Sequence, residues 1–473
     1  MWVGRRQRTA GEYFLGARDL PAWAILLSIV ATETSAITVI STPGLAARGD
    51  LTFLQLPLGY LIGRIAVAVW LLPGYFRGEQ ETAYARLESR FGPGTRRLAS
   101  AVFLATRALG DSVRVYASAL PLAVLAHWSV PASILAMSLV TLLYTWHGGL
   151  KAVVWVDVVQ LLIYLAGGAA ALAIAAGLAG GLESVLGSAA AQGKLRLVDP
   201  ALAFTRTYTL WGGLVGGGLL SAASHGTDQL IVQRLLASRN LGAARRALVG
   251  SGVLVLLQFA LFLLAGTAIW AAGLAPADLP ADRIFPTFVV RHLPAGVAGL
   301  MVAAVLAAAM STQSSAINAL ASSVTHDLYA GWTGRRDPVH LLRVGRWCSA
   351  AWAAIITAGA LLFDRVAGGS QTPVVVFALS VASITYGGLL GAYLLAGGWP
   401  RARGRDVAGA IALGVSVMLL VFFAGRLREV TGLAWLAPAA ALAWPWYVPL
   451  GTGITVAAGI GLSLLPTRAR KEP

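Results

Sequence analysis

The sequence predicts an all-α polytopic membrane protein with about twelve transmembrane helices, and three observations carry that expectation. Of 473 residues, 57% are hydrophobic and only 12% charged, too little charge for a soluble domain of this size. The apolar runs recur along the whole chain and mostly reach the roughly 20 residues that a bilayer crossing requires. Finally, basic residues alternate in density: if the first helix runs outward from the cytoplasm, 24 of the 36 Lys and Arg lie in inner segments, 9 in outer ones, and Arg64, Arg107 and Arg114 within spans. That asymmetry follows the positive-inside tendency, so both termini are expected in the cytoplasm, at the plasma (inner) membrane. It also explains the net charge of +16 without a nucleic-acid partner. One cysteine, Cys348, and six scattered histidines indicate neither a disulfide framework nor a zinc site.

Hydrophobic runs bounded by Gly, Pro or charge place the helices at roughly 20–47, 51–76, 98–127, 130–146, 150–180, 207–237, 243–273, 296–330, 338–363, 370–396, 405–425 and 445–466. Residues 1–19 are basic and amphipathic and form a cytoplasmic lead-in, with too short an apolar stretch for a secretory signal. Helix one is interrupted by ATETS and then STPG, and helix six carries WGGLVGGGLLSAASHG. Spans broken at corresponding places in two halves point to an inverted-repeat transporter, because a broken helix offers carbonyls and helix ends to a solute. The halves would be 20–180 (helices one to five) and 207–396 (helices six to ten), joined by an extracytoplasmic loop, 181–206. Residues 397–473 would add two peripheral C-terminal helices and a cytoplasmic tail. The glycines of helix six equally suit close helix packing.

Helix eight holds the clearest polar stretch, MVAAVLAAAMSTQSSAINALASSVTHDLY. On a helical period Ala308, Ser311, Thr312 and Ser315 share one face. Hydroxyl and carbonyl oxygens without a carboxylate suit a monovalent hard cation that must bind and then leave; the same hydroxyls also serve helix packing.

Glu33 raises a separate question, since a lone carboxylate in the bilayer costs several kcal/mol unless it is paired. Arg107, Asp111 and Arg114 can satisfy one another at i, i+4 and i, i+3 spacing, which leaves Arg64 as the unpaired cation. Two readings stay open: a structural Glu33–Arg64 bridge, or a Glu33 that tunes the cation site or faces the solute.

AAAMSTQSSAINALASSVTHDLY closely resembles the eighth core helix of the sodium/solute symporter family, which includes sodium/glucose, sodium/proline and related cotransporters. ATETSAITVISTPG, LPGYFRGEQETAYARLESRFGPGTRR, HGGLKAVVWVDVVQ, TDQLIVQRLLASRNLGAARRAL, YGGLLGAYLLAGG and WYVPLGTGITVAAGIGLSLL resemble the family in the same order along the chain. The resemblance implies a five-plus-five inverted repeat of the leucine-transporter type, with sodium as coupling ion between helices one and eight. It implies sodium ligands at Ala31 and Thr34 (carbonyls), Ala308 (carbonyl), Ser311 and Thr312 (hydroxyls), with Asp157 near the inner ion exit. Glu33 falls where the proline-transporting branch has an aspartate important for sodium. The solute cavity would include Gln55, Pro57 and Tyr60 on helix two, Ser221, Ser224 and His225 on helix six, and Ser383 and Tyr386 on helix ten. Pro57 and Val255 stand where sugar carriers have a glutamate and a lysine, which argues against sugar. An exposed Arg64 would suit an anion. Family members usually carry a further helix before the core, and Met1 stands where that helix would end.

The reading is a sodium-coupled symporter that moves a small polar or anionic solute through the lipid bilayer, not an enzyme. The alternative is a proton-coupled transporter using Glu33. A membrane-embedded enzyme would need acids or histidines clustered at a membrane face, and the intramembrane ionisable groups are mostly arginine. A transport-like sensor would carry an added signalling domain, whereas this sequence ends eight residues after Leu465.

Overall fold

The computed structural model describes residues 7–34, 36–77, 80–367 and 374–465, apart from the side chains of 36, 37, 121, 124–126, 366, 367 and 374–381. Ser35 of the ATETS stretch, the expected start of helix ten and the C-terminal tail fall outside them. Among the described residues every regular element is helical, and the one strand-like contact is an isolated bridge between Leu20 and Ser238.

Among the described residues seven helices are long and apolar enough to cross a bilayer by length and composition, and the bent pair of helix one, taken as one span, makes an eighth. The 49-residue run Val130–Leu178 is long enough for two crossings at 1.5 Å per residue. It turns at Gly149 (φ 52, ψ −162), so helices four and five meet at a one-glycine kink where the sequence suggested a short loop. Side chains such as Trp70, Leu139, Leu162, Leu257 and Leu362 stay exposed, as a lipid-facing surface permits. The chain is a multi-pass membrane protein.

Two spans are broken at matching places. Helix one stops at Glu33, passes through extended Thr34 (φ −82, ψ 95) and resumes as Ala36–Arg48, with a bend of 64°. Helix six runs from 212 to 226, loses helical geometry at Thr227 (φ −131, ψ −14) and Asp228 (φ −85, ψ 123), and resumes as Gln229–Leu236. The break therefore lies after the glycine run. The glycines themselves are packing residues: a Cβ on Gly59 would sit 1.9 Å from the Gly213 carbonyl, and one on Gly63 would sit 2.1 Å from the Gly218 carbonyl. Helices two and six thus touch backbone to backbone, which small residues alone allow.

Helix eight, Ala295–Ser323 continuing through wider turns to Thr333, packs along the helix four–five run. Helix seven (Leu241–Ala271) lies against both halves of the pair formed by helices one and two. The last two spans, Gly404–Thr431 and the helix ending at Leu464, pack on helix ten. The sequence reading left out five short α-helices among the described residues: Ala10–Leu15, Ala85–Phe91, Leu182–Ala191, Ala281–His292 and Ala437–Ala441. Leu182–Ala191 lies within the segment 181–206 that joins the two expected repeats. Ala281–His292 buries Ile284, Phe285, Phe288 and Val289 against the second half of helix one.

Candidate functional site

Asp157 on helix five is fully buried and gathers three other helices around its carboxylate. Ser28 of helix one donates to Oδ2 at 2.6 Å, Ser311 of helix eight donates to Oδ1, and Arg234 Nη2 of helix six donates to Oδ2 at 3.2 Å. Arg234 also donates to Ser28 Oγ at 2.9 Å, to Ser315 Oγ and, from Nη1, to the Leu230 carbonyl at 2.7 Å. Burying an aspartate and an arginine together avoids the cost of leaving either charge alone in a low dielectric. Counted by sequence as a charge of an inner loop, Arg234 is in fact wholly buried and paired.

The candidates for the ion lie on helices one and eight, of which Ser311 already touches Asp157. Ala31, Thr34, Ala308, Ser311 and Thr312 are all buried. Thr312 Oγ1 donates back to the Ala308 carbonyl at 3.1 Å, so a hydroxyl and a carbonyl oxygen adjoin. Helix one ends at Glu33, which takes its last carbonyls out of the regular ladder. Thr34 is fixed from helix seven: its hydroxyl donates to Gln258 Oε1 at 3.0 Å, and Tyr164 of helix five donates to the same oxygen at 2.8 Å.

Glu33 forms a salt bridge with Arg64 of helix two. Arg64 has no exposed surface, and its Nη1 donates to Ser251 Oγ of helix seven at 2.7 Å. The expectation of an exposed, solute-ready Arg64 is therefore corrected: Glu33 neutralises it because two buried opposite charges across a helix–helix contact are far cheaper together than apart. His225 Nε2 stands 3.7 Å from Glu33 Oε2, and its Nδ1 lies 2.8 Å from Ser224 Oγ. Arg64 Nε and His225 Nε2 are buried without a hydrogen-bond partner among the described residues. Glu33 keeps 22% of its side chain exposed.

Other solute candidates divide. Gln55 is buried as a pin rather than a cavity wall, donating to the carbonyls of Thr52 and Tyr208 (2.9 and 3.3 Å) and accepting from the Asp199 amide at 3.0 Å. Ser221 also faces helix two, donating to the Tyr60 carbonyl at 2.9 Å. Tyr60, Pro57, Val255 and Ser383 are buried.

Tyr386 belongs to a third cluster. Its hydroxyl donates to Asp228 Oδ2 at 2.5 Å, and Arg107 lies 3.0 Å from the same oxygen. Arg107 and Arg114 meet Asp111 at 3.4 and 3.0 Å. The triad read from helical spacing is thus present, with Asp228 as a fourth member.

Sequence reasoning missed Asp228, Arg234 and Gln258 as site residues. The first two sit in TDQLIVQRLL, where a charge at each end of a short apolar run was the available signal.

On the face bearing the lead-in helix, Asp327 accepts from Thr82 Oγ1 (2.5 Å), Ser323 Oγ (2.6 Å) and Arg96 Nε (2.8 Å). Beside it His326 Nδ1 stands 2.7 Å from Glu81. Burial raises the Glu81 pKa, but the hydrogen bond and charge of His326, followed by Arg96 and Arg18, hold it below the usual carboxylate range. No group of three or more His, Cys, Asp or Glu able to hold a metal occurs among the described residues. The Ser311 and Thr312 hydroxyls and the Ala308 carbonyl are oxygen donors of the kind that suits a hard monovalent ion, while the Asp157 carboxylate beside them is already paired with Arg234.

The model of the sodium:solute symporter family matches residues 13–405. The human sodium/iodide cotransporter is 30% identical over 439 residues, covering 89% of this chain and 67% of that protein. The sodium-coupled monocarboxylate transporter 2 of Danio rerio is 28% identical, covering 88% of this chain and 67% of that one. Among solved structures, a Na+-coupled sialic acid symporter in its substrate-bound outward-open state superposes with a TM-score of 0.85 at 24% identity, covering 98% of this chain and 94% of that one. The chain belongs to the sodium:solute symporter family, and its fold is the leucine-transporter type expected from the sequence. The proton-coupled alternative finds no support among these relatives.

Proposed function

We propose that this member of the family couples the entry of sodium to uptake of a small anionic or polar solute by alternating access, with sodium seated between the break of helix one and helix eight. The observation that carries this reading is the junction at Asp157, where Ser28, Ser311 and Arg234 tie helices one, eight and six to helix five. The carbonyls of Ala31, Thr34 and Ala308 and the hydroxyls of Ser311 and Thr312 would hold the ion. Ser311 gives its proton to Asp157 and Thr312 gives its own to Ala308, which turns hydroxyl lone pairs toward a cation. Asp157 is then the next oxygen on the inward path. Seating the ion would bring helices one and eight together and favour the state open to the outside, where solute binds.

An anion is the favoured solute class. The relatives named above carry iodide and monocarboxylates, and Pro57 and Val255 leave no charged pair of the kind expected for sugar. Glu33, Ser224 and His225, beside the breaks, are the proposed solute-facing groups. The repeats are assigned as 20–180 and 207–396, with both termini on the cytoplasmic side.

The test is uptake into proteoliposomes across a sodium titration. Solute uptake is expected to rise with sodium and to be lost in Ser311→Ala/Thr312→Ala protein that still elutes as a folded monodisperse peak. Uptake indifferent to sodium would sink the reading.

A further inference from the structure

The face opposite the lead-in helix, which the count of basic residues assigns to the outside, carries only 9 of the 36 Lys and Arg. Four of them, Arg48, Lys194, Arg196 and Arg206, line two cavities that share Asp50. The larger, about 380 Å³, is lined by Asp50, Thr52, Arg196, Asp199, Arg206 and Tyr208, with Thr207. A sparse charge gathered at one mouth is not what topology alone requires.

The cavity has a built frame. Asp199 is buried and its two carboxylate oxygens divide the arginines: Oδ1 lies 3.1 Å from Arg196 Nη2, and Oδ2 lies 2.6 Å from Arg206 Nη2. Its amide donates to Gln55 Oε1, and Gln55 Nε2 donates to the Tyr208 carbonyl, so the frame is anchored on helix two. Each guanidinium has five N–H donors in a fork, and the arginine side chains remain 49% and 55% exposed. Donors are therefore left over on both. Asp50 is occupied by the amide and hydroxyl of Thr52. Across the two cavities four cations face two carboxylates. Partial burial lowers the pKa of Lys194, Asp50 offsets part of that, and Arg48 adds a smaller lowering. Tyr208 lines the cavity and packs edge-on against Phe53, which meets Phe259 of helix seven, so an aromatic cluster backs one wall.

We propose that this mouth is an anion-capture site, distinct from the seat at the helix breaks, in which a small carboxylate is held by the free edges of Arg196 and Arg206. Two arginines beside an aromatic wall match a planar carboxylate, and positive charge concentrated at a mouth raises the local concentration of anions and their rate of entry. The site's purpose rests on the proposed anion transport, whereas its ligand chemistry rests on the cavity alone.

The experiment uses the purified full chain in nanodiscs, without sodium. N-methylglucamine lactate is titrated at constant ionic strength against N-methylglucamine chloride and followed by calorimetry. Lactate is expected to bind saturably without sodium, and Arg196→Gln/Arg206→Gln to weaken it about tenfold. Arg206→Lys, which keeps the charge and the partner of Asp199 but loses the fork, should weaken it as well. Sodium added alone should raise the thermal midpoint of every variant, which checks folding and reads the ion seat separately. Absence of sodium-independent lactate binding, or equal binding in all variants, would overturn the site, and chloride competing as well as lactate would overturn its carboxylate preference. Loss of the sodium-induced shift in the unmodified protein would instead count against the proposed function and leave the mouth standing.

Discussion

The two broken helices carry one carboxylate each, and they carry it at opposite electrostatic ends. Glu33 is the last residue of the first half of helix one, where the negative end of the helix dipole opposes a further negative charge. Asp228 caps the second half of helix six, accepting from the Leu230 amide at 2.9 Å, where the dipole favours it. Glu33 thus depends on Arg64, while Asp228 already has the helix end and then adds Arg107 and Tyr386. The lesson is that matching breaks can play unequal parts. The helix-one break is held open by neighbours, from Arg64 on one side and Gln258 on the other, whereas the helix-six break is largely self-capped.

The sharpest way to break this comparison is to remove each carboxylate's partner. Arg64→Leu strands Glu33 beside an unfavourable dipole and should cost about 3–5 kcal/mol, read as a large fall in the thermal midpoint in detergent. Adding Glu33→Gln should restore much of it. If Arg64→Leu alone is harmless, Glu33 does not need its partner.

Asp228→Asn keeps a good capping side chain, and Arg107 retains Asp111, so a smaller loss of about 1–3 kcal/mol is expected. A loss equal to that of Arg64→Leu would erase the distinction between the breaks.

Gln258→Leu leaves both charges in place and removes the partner shared by Thr34 and Tyr164. Stability should fall by about 1–2 kcal/mol, while the sodium concentration for half-maximal stabilisation rises about tenfold. An unchanged sodium dependence would remove helix seven from the account of the ion.

Glu81 provides the solvent-reached reference, with half of its side chain exposed beside His326. Glu81→Gln should cost under about 1 kcal/mol at neutral pH. Because the folded pKa lies below its ordinary 4.5, the stabilisation is complete above that value and fades as pH falls through the lower folded one. The difference between Glu81→Gln and unmodified protein should therefore vanish in acid; a difference that grows there would reverse the sign.

The spans were legible because lipid selects long apolar runs, and hydropathy reads those directly. The break of helix six was legible as an event but not in position: its glycines mark backbone contact with Gly59 and Gly63, while the break is set well after them by Thr227 and Asp228. Leu182–Ala191 and Ala281–His292 escaped because a short amphipathic helix at a membrane face has neither the length nor the apolarity of a span. In the site, the local triad of Arg107, Asp111 and Arg114 was readable from helical spacing alone. Arg234 was not, since a sequence count cannot tell a loop arginine from one folded onto a carboxylate 77 positions away. Gln258 gave no signal because its partners, Thr34 and Tyr164, lie on other helices. The bridge between Glu33 and Arg64 was one of two open readings, and only geometry could show that it forms.

The claim at the centre of the account is that sodium sits where helix one breaks against helix eight. Binding of radioactive sodium to the purified protein tests it most directly, because no solute need be known. The unmodified protein should bind sodium saturably, and Ser311→Ala/Thr312→Ala should abolish that binding in a protein that still unfolds cooperatively without sodium, with a midpoint lowered by the lost Ser311–Asp157 hydrogen bond. Undiminished sodium binding in the double variant would contradict the account.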